Sequence, residues 1–184
     1  MRLLGRAEVC LDGVPLLLPR RQLEILALLA LHPEGLRLDA PHARLHGDQP
    51  VSLITTKSAI SRLRGALGAA LASRPYRLRV PVWCDALDVM ELLRAGRVRA
   101  AAQAYRGELL AGTEAPGLVE FGNVLAVAIR EALLAHPDPR AVLSYAETAP
   151  YDTEVLERAI ATGDVTSHSV LPLLRARLRT AAEL

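Results

Sequence analysis

Apolar positions along this chain change their spacing several times, and each change marks an element. Residues 2–9 (RLLGRAEV) and 9–18 (VCLDGVPLLL) read as short strands, with Asp12-Gly13 as the hairpin turn between them. From Arg20 to Leu31 the positions Leu23, Leu26, Ala27, Ala30 and Leu31 recur at helical spacing; Pro19 suits the helix start and His32-Pro33 closes it. Pro33-Glu34-Gly35 is a turn. Asp39 is placed to cap a short helix to about His46, with Pro41 tolerated in its first turn. After the loop Gly47–Pro50, Ser52 or Thr55 caps a third helix running to about Leu67 or Gly68. Its buried stripe is expected at Thr56, Ile60, Leu63 and Leu67. Residues 76–83 (YRLRVPVW) alternate like a strand, and Pro81 argues for an edge or a turn.

Beyond residue 85 the periodicity is helical throughout. Helices are expected from Asp85 through Leu93, over 97–110, over 118–135 (apolar positions Val119, Leu125, Ile129, Leu133 and Leu134), and over 139–148, 152–161 and 166–183. Gly112–Gly117 reads as a linker, and His136-Pro137-Asp138-Pro139 as a stop. Tyr105, Leu109, Leu110, Leu118 and Phe121 gather near the linker. They are expected either to seal a contact with residues 80–93 or to fill the helical half's own core.

The order is α+β: strands, three helices and a terminal β element over residues 1–88, then an all-α domain over 89–184. The 184 residues are enough for one domain or two small ones. Apolar residues make up 51% of the chain but aromatics only 3%, a balance that favours Leu/Ala helices over a sandwich or barrel. Cys10 and Cys84 form no disulfide framework or metal pair and read as small buried residues in or near strands. No secretory leader is visible, and no apolar run approaches the ~18 residues of a membrane span. A cytoplasmic location is the simplest expectation.

Charge separates the halves. Residues 1–88 hold 12 Lys and Arg against 8 Asp and Glu, a net +4; residues 89–184 hold 10 against 12, a net −2. Within the first half, Ser52 to Arg79 carries six basic residues (Lys57, Arg62, Arg64, Arg74, Arg77, Arg79) and no acidic one. The stretch covers the third helix and the β element after it. A basic helix beside a basic strand suits double-stranded DNA: phosphates attract such a surface irrespective of sequence, while helix side chains reach base edges. On the outward side of the helix, Thr55, Ser58, Ser61 and Arg62 are the candidates to face bases. Arg21, Thr56, Lys57, Arg64, Arg74, Arg77 and Arg79 are the candidates for the backbone.

Other constellations carry less. His42 and His46 are four apart, as two metal ligands on one helical face would be, but no third ligand, HExxH or cysteine pair accompanies them. No metal and no cofactor is expected. Gly65 and Gly68 fall at a helix end rather than in a phosphate loop, and Ser144, Tyr145 and Glu147 form no catalytic pattern. The reading is non-enzymatic.

The segments LLGRAEVCLDG, RRQLEILALLALHPEG, ITTKSAISRLRGALG and PYRLRV resemble the OmpR/PhoB-type winged helix, in the variant found in the Streptomyces antibiotic regulatory protein family and related actinobacterial regulators. The most specific pieces are SRLRGALG at 61–68 and the tyrosine-led strand Tyr76-Arg77-Leu78. The resemblance implies a recognition helix over about 53–67 in the major groove, carrying Thr55, Thr56, Lys57, Ser58, Ser61, Arg62 and Arg64. It also implies a wing over about 74–83 that carries Arg77 and Arg79 to the backbone or minor groove. His46 stands where that family usually has tryptophan, and a packing role is expected for it. LLRAGRVRAAAQAYRGELLAGTEAPGLVE is similar to the opening of a helical bacterial transcriptional activation domain, and APGLVEF to short helical tails of regulators with a GAF-type sensor.

The function so implied is a sequence-specific transcriptional regulator, with a homodimer, RNA polymerase or a GAF-type sensor as further partners. The alternative is a non-catalytic interaction module built on a winged helix. A docking surface of that kind calls for Leu or aromatic anchors, whereas the third helix offers Thr, Lys, Ser and Arg.

Overall fold

The computed structural model describes residues 1–163 and 169–182. Its helices and strands divide into two compact units, Met1–Cys84 with Glu108–Asn123, and Asp85–Gly107 with Val124–Leu184. The expected first domain, 1–88, shares residues 1–84 with the first unit, which adds 108–123.

The first unit is organised around one helix. Arg20–Leu31 (α1) has the predicted bounds, but its burial is not one-sided: every residue from Glu24 to Ala30 is buried. The apolar run Ile25–Leu31 has no polar face to turn to water. Asp39–His46 (α2) and Leu53–Leu67 (α3) pack against α1. Asp39 is the first residue of α2 and makes no capping hydrogen bond, contrary to its expected role.

Segment 108–123 is held to α1 and to the N-terminus by hydrogen bonds. Leu110 N–H donates to the Leu3 carbonyl (2.8 Å), and Gly5 N–H to the Glu108 carbonyl (2.9 Å). The Arg20 guanidinium donates to the carbonyls of Leu110 (2.8 Å) and Ala111 (3.0 Å). Leu110 has a φ of 43°, costly for a side chain branched beyond Cβ, and this web of bonds holds it there. Glu24, only 4% exposed, is balanced by Arg20 (3.3 Å), Arg21 (3.0 Å) and the Thr113 hydroxyl (2.9 Å). The expected linker Gly112–Gly117 belongs to this unit: Ala115 is buried, Thr113 bonds to Glu24, and Leu109, Leu110 and Leu118 to either side are buried, while Gly112, Glu114 and Pro116 are exposed.

Residues 2–9 do not run as a strand. Gly5, at φ 70°, turns the chain so that Arg2 and Glu8 pair with each other, and Leu4 bridges to Leu109. The hairpin at Asp12-Gly13 is present, between Cys10–Leu11 (β1) and Val14–Pro15 (β2), with both turn residues at positive φ as a primed turn requires. Cys10 is exposed there, not buried as expected; Cys84 is buried.

The second unit is helical: Asp85–Arg94 (α4), Val98–Ala104 (α5), the C-terminal part of Pro116–Ala135 (α6), Pro139–Tyr145 (α7), Thr153–Thr162 (α8) and Leu171–Ala182 (α9). Part of the expected 166–183 helix lies outside the described residues. Leu125, Ile129 and Leu133 form the buried stripe of α6, while Val119 is exposed rather than buried. Asp138 caps α7 and Asp152 caps α8. Asp152 also accepts from the Arg130 guanidinium (2.9 Å) and the Tyr145 hydroxyl (3.2 Å). Burial, then the Asp152 charge, raises the Tyr145 pKa, so that hydroxyl stays a donor. Among the described residues no helix is long and apolar enough to cross a membrane.

Candidate nucleic-acid interface

Ser52 starts α3 from an extended backbone, and its Oγ accepts from the Ile54 N–H at 3.2 Å. Gly68, at φ 56°, ends it by donating its N–H to the Arg64 carbonyl. Between these caps the buried residues are Thr56, Ile60, Leu63 and Leu67, the stripe that the spacing predicts. That stripe fixes the rotation of the helix. Leu53, Ile54, Thr55, Lys57, Ser58, Ser61, Arg62, Gly65 and Ala66 face solvent.

Leu71–Ser73 (β3) and Tyr76–Leu78 (β4) follow a short 3-10 turn and pair antiparallel, with Leu71 opposite Leu78 and Ser73 opposite Tyr76. Tyr76 also pairs with Leu36, N–H to carbonyl in both directions at 2.8 and 2.9 Å. The hairpin is thereby anchored to the chain between α1 and α2. Alternation does the rest: Tyr76 and Leu78 are half-buried, Arg77 and Arg79 exposed, and Arg74 projects at the turn.

Helix and hairpin meet along the flank that carries Lys57 and Arg64. The Arg64 guanidinium lies over the Tyr76 ring, 5.9 Å from its centroid. Next to this seam a cleft of about 660 Å³ has an apolar floor of Leu36, Leu38, Pro75 and the Tyr76 ring, together with Arg37, Lys57, Ser73 and Arg74. Its three basic groups have no carboxylate among the lining residues, so the charge at this cleft is positive.

The expected site residues divide accordingly. Thr55, Ser58, Ser61 and Arg62 share the solvent side of α3, and Lys57, Arg74, Arg77 and Arg79 are exposed on α3 and the hairpin. Thr56 does not belong with them. It is 1% exposed, and its Oγ1 lies 2.8 Å from His42 Nδ1, so its hydroxyl serves the core and cannot meet a phosphate. Arg64 is half-buried in the seam, with one guanidinium nitrogen buried and lacking a hydrogen-bond partner among the described residues. Arg21 is engaged by Glu24 and by the Leu45 carbonyl (3.3 Å). Two residues were not foreseen. Arg37 lies between two leucines in a segment read only as the approach to α2, and Ile54 is an exposed apolar residue on a face sought by polarity.

His46 is buried, as a packing residue would be, with its ring 5.1 Å from that of His42. Burial, then the positive charge of Arg21, holds its pKa below the usual 6.5. Among the described residues no group of three or more His, Cys, Asp or Glu side chains could hold a metal ion.

No family model matches the chain. It is 37% identical over 135 residues to an uncharacterized 47.3 kDa protein from the thcA 5′ region of Rhodococcus erythropolis, covering 73% of this chain and 31% of that one. Among solved structures it resembles Mycobacterium tuberculosis EmbR in complex with a low affinity phosphopeptide, with a TM-score of 0.50 at 23% identity, over 99% of this chain and 64% of that one. The chain therefore spans about a third of the one protein and just under two thirds of the other. The fold is the OmpR/PhoB-type winged helix-turn-helix: an N-terminal hairpin, three helices and a β3–β4 wing, followed by an all-α domain.

Proposed function

We propose that this protein is a sequence-specific double-stranded DNA-binding transcriptional regulator, related to the Streptomyces antibiotic regulatory protein family and other actinobacterial regulators. The observation that carries the reading is a continuous solvent face on α3 and the wing with Lys57, Arg62, Arg74, Arg77 and Arg79 exposed and no carboxylate between residues 52 and 79. In this reading α3 lies in the major groove, and the wing meets the backbone or minor groove. Arg62 reads guanine through its planar fork. Lys57, Arg74, Arg77 and Arg79 neutralise phosphates, and Arg37 joins them from the cleft beside the wing. Arg64 acts through Tyr76 by setting the angle between helix and wing. The helical half, with its net −2, is assigned to protein contacts: a second protomer, a sensor domain or RNA polymerase.

Binding-site selection from random duplexes tests the proposal. One motif should be enriched. Arg62→Ala should weaken that motif by about 1–3 kcal/mol and blur one position, while Arg77→Ala should weaken all duplexes about equally. Absence of any enriched motif would refute sequence-specific binding. Identical effects of the two substitutions on specificity would refute the division of roles.

A further inference from the structure

Ile54 is 70% exposed in the first turn of α3, on a face otherwise built of hydroxyl, basic and small residues. At about 100° per residue, the buried stripe Thr56, Ile60, Leu63 and Leu67 defines the inward direction of the helix. The opposite direction runs through Ser58 and Gly65, and Ile54 lies within about 30° of it, whereas Thr55 lies about 70° away. Ile54 is therefore closer to the centre of the outward face than the threonine beside it. Nothing local requires this. A β-branched side chain in an exposed helical position gains no packing and loses rotamer freedom. Leu53, the other exposed large apolar residue of α3, lies at the edge of the buried stripe and is less exposed.

The first turn of a recognition helix is the part that meets base edges. The major groove offers one apolar feature to such a side chain, the C5 methyl of thymine. We propose that Ile54 reads a thymine methyl group and makes the chain select T over C at one position of its site. This rests on the DNA-binding reading above. Lys57 and Arg62, on either side of Ile54 around the helix, supply the charge that brings the duplex to this face. Gly65 and Ser58, on the same line, let the groove approach without obstruction.

The test uses the full chain and the duplex enriched by selection. Each thymine is replaced in turn by deoxyuridine, which removes only the methyl group. Wild type should lose about three- to fivefold in affinity at one position, the value of one buried methyl, and be indifferent at the rest. Ile54→Ala should bind the thymine duplex with that same loss and show no further loss with deoxyuridine at that position. Because Ile54 is exposed, this variant should fold as wild type does, which circular dichroism checks. The inference is overturned if no deoxyuridine weakens wild type, if the loss persists undiminished in Ile54→Ala, or if the enriched site lacks thymine. In those cases duplex binding itself still stands. If wild type binds no duplex at all, the DNA-binding reading fails and Ile54 loses its assignment with it.

Discussion

Cutting the chain after residue 88 removes part of the winged helix's own core. Segment 108–123 brings Leu109, Leu110 and Leu118 to the first unit, each at most 5% exposed. Burying a leucine is worth roughly 1.5–3 kcal/mol, so the three together contribute about 4.5–9 kcal/mol as an upper estimate. A domain of this size has roughly 5–15 kcal/mol in total. The same cut deprives Glu24 of its Thr113 hydroxyl and leaves Arg20 without the Leu110 and Ala111 carbonyls. Fragment 1–88 should therefore be largely unfolded at 25 °C. Fragment 1–123, which keeps the segment, should unfold cooperatively in urea when followed by far-ultraviolet circular dichroism. In the full chain, Leu118→Ala should cost about 2–5 kcal/mol. Equal urea midpoints for the two fragments would refute the reasoning and make 1–88 a self-sufficient domain.

Leu63→Ala should cost about 2–5 kcal/mol by chemical denaturation, and near-wild-type stability would mean that α3 is rotated from its described orientation. Ser52→Ala should lower stability by about 1 kcal/mol through loss of the cap on Ile54 N–H, measured the same way; no change would deny the cap a role. His46 has a folded-state pKa below its unfolded value, so the unfolded chain takes up its proton first as pH falls. Stability should be at its full value above about pH 6.5 and decline below it until the lower folded pKa is passed. His46→Leu should flatten that decline in urea titrations between pH 7 and 5, and an unchanged slope would assign it to other groups. Lys57→Ala and Arg37→Ala should each reduce the salt dependence of DNA binding by about one ion, and a change in motif with either would show that these residues touch bases.

Much of this was legible in the sequence, and what was missed has identifiable causes. The α3 stripe was readable because a 3.6-residue period decides which side chains are inside, and Ser52 and Gly68 punctuate it. Thr56 shows a conflict between two cues. Its spacing assigned it to the core, its hydroxyl suggested DNA, and the spacing prevailed. Ile54 shows the opposite case: polarity marks an exposed helix face, and an apolar residue on that face carries no such mark. In α1 the all-round burial is present as the apolar run Ile25–Leu31, but the elements packed on it, α2, α3 and β4, come from elsewhere in the chain, and residues 110–113 reach its first turn from about 90 residues away; local periodicity has no access to such distances. The same limit made Gly112–Gly117 look like a linker, because its turn-forming composition is equally that of a packed loop. Arg64 read as one more basic residue, and only the neighbouring wing shows that its guanidinium lies over Tyr76.

The most direct measurement is the affinity of the full chain for a selected duplex as salt is raised. Lys57, Arg74, Arg77 and Arg79 are exposed on one helix and one hairpin, with Arg37 in the adjoining cleft. Four or five of these at phosphates should give a log–log slope of about −4 to −5 for one protomer. Combining Arg74→Ala with Arg77→Ala should make that slope shallower by about two ions. A steep slope that falls with these substitutions is the predicted result. A slope near zero, or one indifferent to both arginines, would contradict the assignment of α3 and the wing as the DNA-binding face.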